Sequence, residues 1–312
     1  MKVIVQIPCL NEEETLPLVF EHMPRSIPGV DELEFLIIDD GSTDRTVEVA
    51  KQLGIKHVVH HTANQGLGRS FHDGVLKALS LGADIVVNTD GDNQYPSERI
   101  ADLVQPIIAG KADIVIADRQ TQTIEHFSPF KKWLQKIGSR VVNVAAGTDL
   151  PDAASGFRAY SRESLFQINT VTRFSYCMET IIQAGNKRLA IASIAITTNP
   201  KTRESRLFKN IRQHVMKSAA TIIRAYIMYK PTVVFITTGT VLLAAGLIPF
   251  IRFLLFVAHP NGTHHLQSLL AGSILLTAAF IAYTLGIIAD LIRINRILIE
   301  DSLEQQKRER FK

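Results

Sequence analysis

Two cysteines in 312 residues, Cys9 and Cys177, leave no disulfide framework and no cysteine-rich metal site. Both read as small buried residues of a reducing compartment. Tryptophan is nearly absent, with Trp133 alone in Lys131-Lys132-Trp133-Leu134. The first apolar run is not followed by a Gly-x-Gly-x-x-Gly turn, which argues against a dinucleotide-binding oxidoreductase. The opening MKVIVQIPCLNEEE lacks the basic flank, apolar core and small-residue cleavage site of a secretory leader, so the globular part is expected in the cytoplasm. No low-complexity linker and no internal repeat is apparent. Charge is missing from two long stretches, residues 231–251 and 266–289. Each matches the roughly 20 helical residues that cross a hydrocarbon core, so the pair predicts a transmembrane hairpin over 231–292 in preference to two buried core helices.

Basic residues are unevenly spread. Residues 201–230 hold eight Lys and Arg against Glu204, a local charge of +7 in a chain whose total is +4. Further Lys and Arg follow the second apolar run in 293–312, whereas the connecting loop AHPNGTHH (258–265) has none. By the preference of Lys and Arg for the cytoplasmic side, both termini lie inside and the connector outside. The excess faces anionic lipid headgroups, and nucleic acid is not an expected partner. Residues 206–230 are apolar at helical spacing with Lys and Arg between, which predicts an amphipathic helix lying in the interface. Residues 293–312 read as a charged cytoplasmic tail.

Ahead of these segments, β-branched apolar runs alternate with amphipathic stretches: VIVQI (3–7), EFLIID (34–39), HVVHH (57–61), DIVVNTD (84–90) and DIVIAD (113–118). That alternation predicts an α/β domain over 1–205, a mostly parallel sheet with helices on both faces and ligands at the carboxyl ends of the strands. The polar motifs fall at those ends. Pro8-Cys9-Leu10-Asn11-Glu12 follows the first run, and Asp39-Asp40-Gly41-Ser42-Thr43-Asp44 the second. Asn64-Gln65-Gly66-Leu67-Gly68-Arg69 follows the third, and Asp90-Gly91-Asp92-Asn93-Gln94 the fourth. Acids and glycines after a strand also make turns and helix caps, the expected role of Asp44. Asp90 and Asp92, separated by a small residue, can divide their oxygens between a ribose and a hard divalent cation, which shares its ligands with substrate phosphates.

In this order, Pro8-x-x-Asn11-Glu12, Asp39-Asp40-Gly41-Ser42-x-Asp44, Asn64-x-Gly66, Asp90-x-Asp92-x-Gln94, Ala117-Asp118-Arg119, Ser155-Gly156-Phe157-Arg158 and Glu204-Ser205-Arg206-Leu207 resemble the family 2 glycosyltransferases, over about residues 1–230. More closely they resemble the dolichol-phosphate mannosyltransferase and polyprenyl-phosphate glycosyltransferase branch. The resemblance implies a GT-A-type catalytic domain that takes a nucleotide-sugar donor, a polyprenyl phosphate acceptor and a divalent metal, Mg2+ or Mn2+. By the same resemblance Pro8, Leu10, Glu12, Ile38 and Asp40 hold the nucleoside; Asp90, Gly91 and Asp92 hold the sugar diphosphate; and Asp92 and Gln94 hold the metal. Arg119 and Arg206 bind phosphate. The segment TTNPKTRESRL departs from the family spacing, which leaves Lys201 or Arg203 for the earlier loop arginine. Lys136 and Ser139 match an acceptor-phosphate region, and Asp152 and Glu179 sit where related enzymes place acceptor-side carboxylates.

A lipid phosphate is already anionic near neutral pH and needs no general base, whereas a hydroxyl acceptor does. A single displacement with inversion at the anomeric carbon is therefore expected. A polysaccharide synthase or ceramide glycosyltransferase would carry a Gln-x-x-Arg-Trp element, which Trp133 does not complete. A non-catalytic nucleotide-sugar-binding membrane protein could keep the same motifs. The sequence leaves a homo-oligomer open.

Overall fold

The computed structural model describes residues 1–122, 129–171, 176–200, 216, 219–220, 223–224, 226–257 and 266–312. The expected interfacial helix falls largely outside these residues, as do Lys201, Arg203, Arg206 and the connector between the two apolar runs.

The chain divides into two compact units, residues 1–222 with 302–312, and residues 223–301. In the first, seven strands form one sheet: β1 (Lys2–Cys9), β2 (Glu32–Asp39), β3 (His57–His60), β4 (Ile85–Asn88), β5 (Ile114–Asp118), β6 (Arg158–Ser161) and β7 (Ile191–Ala195), in the order β3-β2-β1-β4-β6-β5-β7. β1 pairs in parallel with β2 and β4, β2 with β3, and β5 with β7. β6 alone runs antiparallel, inserted between β4 and β5. This is the α/β sheet expected, with two additions. β6 and β7 are short and were not among the anticipated runs.

Val3, Val5 and Ile7 face one side of β1 with no exposed surface, and Ile4 the other, so this strand is covered on both faces. Burying each such side chain contributes about 1.5–3 kcal/mol, which is why the strand reads as a continuous apolar run. Helices α1 (Leu16–Glu21), α2 (Thr46–Gln52), α3 (Leu67–Ser80), α4 (Ile100–Ile108), α5 (Pro129–Ala146), α6 (Arg162–Gln167) and α7 (Tyr176–Asn186) connect the strands. α3 lies directly on β1 and β2: a Cβ on Gly74 would come within 2.5 Å of Gln6 Oε1 and 2.8 Å of Ile38 Cδ1.

Because β1 to β4 are parallel, their carboxyl ends, Cys9, Asp39, His60 and Asn88, share one edge. The reversed β6 starts at that same edge, with Arg158 opposite Asn88 on one side and Ile116 on the other. The Ser155-Gly156-Phe157-Arg158 segment is thereby delivered to the motifs of β4 and β5.

The second unit contains α8 (Pro231–Val257) and most of α9 (Leu266–Arg310). Both are long and apolar enough to cross a membrane, with mean hydropathy 2.1 and 2.0. Their apolar side chains are widely exposed, Ile248 and Phe280 at 71% each. Small residues let the pair approach: Cβ atoms on Gly239, Gly246 and Gly272 would fall about 3 Å from Tyr283, Leu275 and Phe250 respectively. Thr240 and Tyr283 share a hydrogen bond of 3.0 Å between the same helices.

The charged segment 293–312 is helical through Arg310, and its end belongs to the first unit. There Lys307 is buried, donating to the carbonyls of Leu165 (3.1 Å) and Ile168 (2.6 Å) at the end of α6. Arg308 pairs with Glu163 and lies over the Phe166 ring, Phe311 is buried, and Arg162 donates to its carbonyl.

Candidate active site

The turn after β1 is held to the turn after β2 by reciprocal hydrogen bonds. Asn11 N donates to Ser42 Oγ (2.9 Å), Thr43 N to Asn11 Oδ1 (2.7 Å) and Glu12 N to Thr46 Oγ1 (2.8 Å). Asp44 accepts from Thr46 N (3.0 Å) and Glu13 N (3.1 Å), so it takes up the first amide of α2 from the position before the N-cap residue, Arg45. Gly41 has φ +80°, and a Cβ there would lie 2.8 Å from the Ala63 carbonyl carbon. Only glycine lets the β2 turn pass so close beneath the loop after β3.

Of the residues expected to hold a nucleoside, Glu12 is buried and accepts from Thr15 Oγ1 at 2.6 Å. Pro8 and Leu10 are half-buried at the edge. Ile38 is fully buried with its side chain directed at Gly74 of α3. Asp40 is buried at the mouth, where it accepts from Gln65 N (2.8 Å) and Gly66 N (2.9 Å) and lies 2.8 Å from His61 Nδ1. Its neighbour Asp39 has a different role. Fully enclosed, it accepts from Ser42 N (3.0 Å) and meets His60 Nδ1 at 2.6 Å, so it braces the turn.

The β4 turn closes onto the β1 turn: a Cβ on Gly91 would stand 3.1 Å from Cys9 Sγ and 3.2 Å from Glu12 Cγ. The Cys9 thiol is pushed well above its ordinary pKa by burial, then by the surrounding carboxylates, and remains an inert packing group. Asp90 approaches Gly156, where a Cβ would lie 3.4 Å from Asp90 Oδ2. Asp92 Oδ1 accepts from Gln94 N at 3.1 Å across Asn93, which has φ +58°. Asp90, Asp92 and Gln94 offer oxygen donors, which suit Mg2+ or Mn2+. Among the described residues no group of three His, Cys, Asp or Glu side chains gathers as a metal site. A cation held at this turn would need further ligands from a bound diphosphate.

At the end of β5, Arg119 Nε donates to Asp152 Oδ2 (2.6 Å) and one terminal nitrogen to Oδ1 (2.9 Å). Burial pushes the Asp152 carboxyl up, but Arg119 more than offsets it and holds the group below the usual carboxylate range. Ser139, buried on α5, accepts from Ala153 N at 3.2 Å, one residue from Asp152. Lys136 lies one turn before it on the same helix and is exposed. Arg119, Asp152 and Ser139 are thus brought together through the 152–153 backbone. Glu179, buried on α7, accepts from Val171 N at 3.2–3.3 Å.

Several groups at this edge had no role assigned from the sequence, although Arg158 stands in the Ser155-Gly156-Phe157-Arg158 motif. Arg158 is wholly buried, with its guanidinium donating to the carbonyls of Ser155, Cys177 and Ala153 and to Thr180 Oγ1. Tyr95 accepts from Gly156 N (2.9 Å), and burial keeps its hydroxyl neutral by raising its pKa. Asn88 donates to Gly156 O and Tyr176 Oη. Asn199 N donates to Gln94 O (3.0 Å) and its amide to Asn93 O (3.1 Å), tying the chain after β7 to the Asp92 turn.

Comparison with known proteins agrees with this geometry. The family described as Glycosyl transferase family 2 matches residues 4–168. Polyprenol monophosphomannose synthase of Mycolicibacterium smegmatis is 30% identical over 236 residues, 72% of this chain and 88% of that protein. The UDP-N-acetylglucosamine–dolichyl-phosphate N-acetylglucosaminyltransferase of Methanococcus voltae is 29% identical, over 62% of this chain and 83% of that one. A solved structure of glucosyl-3-phosphoglycerate synthase from Mycobacterium tuberculosis with uridine diphosphate has TM-score 0.56 and 24% identity, covering 72% of this chain and 80% of that one. With more than half its length matched by the family and the motifs gathered on one sheet edge, the chain belongs to glycosyl transferase family 2 and is a nucleotide-sugar-utilising glycosyltransferase with an α/β core.

Proposed function

We propose that this protein transfers a hexose from a UDP- or GDP-linked donor to a polyprenyl phosphate at the cytoplasmic face of a membrane, with inversion at the anomeric carbon. The observation that carries the reading is the joining of the four-strand motif edge to the Arg119–Asp152–Ser139 group across β6, on a chain that ends in two exposed apolar helices. Relatives whose names specify polyprenol monophosphomannose, undecaprenyl-phosphate and dolichyl-phosphate products or acceptors support a lipid phosphate. The two helices would anchor the protein beside its acceptor, with both termini inside, and Arg203 and Arg206 would supply donor-phosphate contacts from the chain segment ahead of them.

Glu12, Asp40 and the backbone of the β1 and β2 turns would position the nucleoside, and Asp90 the ribose side of the diphosphate. Asp92 and Gln94 would hold the divalent cation, which supplies charge neutralisation of the departing diphosphate. The acceptor phosphate oxygen attacks the anomeric carbon, the bond from that carbon to the diphosphate oxygen breaks, and the nucleoside diphosphate leaves with the electron pair. No proton need be removed from the acceptor. Arg119, Lys136 and Ser139 would hold the acceptor phosphate and screen it from the donor, the kind of preorganised charge that lowers such a barrier.

One observation favours a second reading. Arg119 is already committed to Asp152 through two of its nitrogens, which reduces its capacity for an acceptor phosphate. A hydroxyl acceptor on another lipid or a polysaccharide would instead use a carboxylate such as Asp152 or Glu179 as base. Anomeric analysis of the product decides the chemistry. NMR of lipid product made from an α-linked donor should give a β-glycosyl phosphate; an α-linked product, or an O-glycoside of a lipid hydroxyl, contradicts the proposal.

A further inference from the structure

The carboxylate of Asp40 is the most heavily engaged acceptor at the strand edge. Oδ1 accepts from Gln65 N at 2.8 Å and faces His61 Nδ1 at 2.8 Å, while Oδ2 accepts from Gly66 N at 2.9 Å. A carboxylate can only accept, so each ring nitrogen that meets one donates to it, Nδ1 to Asp40 and Nε2 to Asp73. An ionised carboxylate offers about four lone-pair positions. The described residues take three of them, and the one they leave is on Oδ2.

His61 is not at liberty to release its share. Its Nε2 lies 3.1 Å from Asp73 Oδ2, and Arg69 Nε donates to that same oxygen at 2.8 Å. The His61 side chain is only 9% exposed, so the ring is fixed from both sides. Asp73 and Arg69 sit one turn apart on α3, which itself is seated against β1 and β2. The chain Arg69–Asp73–His61–Asp40 therefore runs from a rigid helix to the carboxylate at the nucleoside end of the site.

We infer that this chain makes Asp40 a reader of one donor, and so selects uridine diphosphate sugars over guanosine diphosphate sugars, with His61 as the positioning residue. The inference rests on the reading of this edge as a nucleotide-sugar site. Uracil presents a single N–H, at N3, between two carbonyl oxygens, and one vacant acceptor position answers it. Guanine presents N1–H and its 2-amino group side by side, and such a pair asks for a vacant position on each carboxylate oxygen. Here Oδ1 is filled by His61 and Gln65. Guanine would leave a donor unpaired at a buried carboxylate or force His61 away from Asp73, and sites built around a hydrogen bond reject such mismatches strongly.

The test is equilibrium binding of free nucleotides to the full-length protein in lipid nanodiscs with Mn2+. UDP should bind at least tenfold more tightly than GDP. N3-methyl-UDP, which lacks the N–H, should lose at least tenfold relative to UDP, and IDP, which lacks the 2-amino group, should bind more tightly than GDP. His61→Leu should shrink the UDP preference at least threefold by freeing Oδ1, and His61→Asn, whose amide can take the place of Nδ1–H, should restore it. If the His61 variants do not fold, the wild-type comparison of UDP, N3-methyl-UDP and GDP decides alone. GDP binding as tightly as UDP, or N3-methyl-UDP binding as well as UDP, overturns the inference and leaves the nucleotide-sugar reading standing. Failure of both diphosphates to bind overturns that reading, and the inference with it.

Discussion

Arg119 and Asp152, thirty-three residues apart in sequence, form a two-point ion pair with donor–acceptor distances of 2.6 and 2.9 Å. Asp152 is 3% exposed, and the pair closes the side of the site between β5 and α5. Removing one partner of such a pair leaves a buried charge unanswered, which costs about 3–5 kcal/mol in other proteins.

Asp152→Asn keeps the shape and removes the charge, so it should lower stability to denaturant by about 3 kcal/mol. The pH dependence has a definite sign. Asp152 is held below its ordinary value in the folded protein, so its contribution is present above the unfolded-state pKa of about 4 and is lost as pH falls through the lower folded value. The difference in unfolding free energy between wild type and Asp152→Asn should therefore be largest near neutrality and shrink below about pH 4. A difference that does not change with pH would show that the pairing is not what holds Asp152 in place.

Asp92→Asn should abolish divalent-dependent transfer with little change in stability, because Asp92 is half-buried in a turn and its amide replacement can still accept from Gln94 N. Mn2+ titration in the presence of UDP, followed by electron paramagnetic resonance, should give binding at least tenfold weaker than wild type. Unchanged Mn2+ affinity and full transfer activity would remove Asp92 from the metal site.

The end of α9 makes a separate prediction. Burial lowers the Lys307 ammonium to about 8, with neighbouring Lys187 acting in the same direction. Between about pH 8 and the unfolded value near 10.4, the unfolded chain holds this proton and the folded one has released it, so stability should rise with pH across that window. The rise attributable to Lys307 should reach on the order of 2–3 kcal/mol and be absent in Lys307→Met, as read from denaturant unfolding of the two proteins at pH 7.5 and 10. Deleting residues 302–312 should expose the α6 surface around Phe166 and lower the melting temperature of the protein.

The legible parts of this molecule are those where one physical signal dominates. β1, β4, β5 and the second half of β2 are buried on both faces, so they read as largely apolar runs, and the acids and glycines that follow them mark the functional edge. β6 was not legible because its first residue is an arginine, Arg158, whose burial depends on carbonyls supplied by Ala153, Ser155 and Cys177. The Arg119–Asp152 pairing was hidden for the same reason, since it requires β6 to lie between β4 and β5. A charged segment such as 302–312 resembles a solvated tail in sequence, and only the carbonyls at the end of α6 explain a buried lysine there. His61 offered no pattern at all. A lone histidine after a strand acquires meaning only when Asp40 and Asp73 are found on either side of its ring. Glu12, Asp40, Asp90, Gly91, Asp92 and Gln94 follow the ends of β1, β2 and β4 on one sheet edge, which the order of the motifs implies because neighbouring parallel strands end on the same side.

The central claim, transfer of a sugar to a lipid phosphate, is tested most directly by acceptor competition. Full-length protein in nanodiscs would be given radiolabelled nucleotide-sugars with Mn2+ and equal amounts of polyprenyl phosphate, free polyprenol, ceramide and diacylglycerol, and the labelled lipids would be separated and counted. Label should accumulate on polyprenyl phosphate, with release of one nucleoside diphosphate per sugar transferred, and Arg119→Ala should lower that rate by about tenfold to a hundredfold, as expected for loss of a charge-assisted contact. Comparable labelling of polyprenol, ceramide or diacylglycerol would contradict the account.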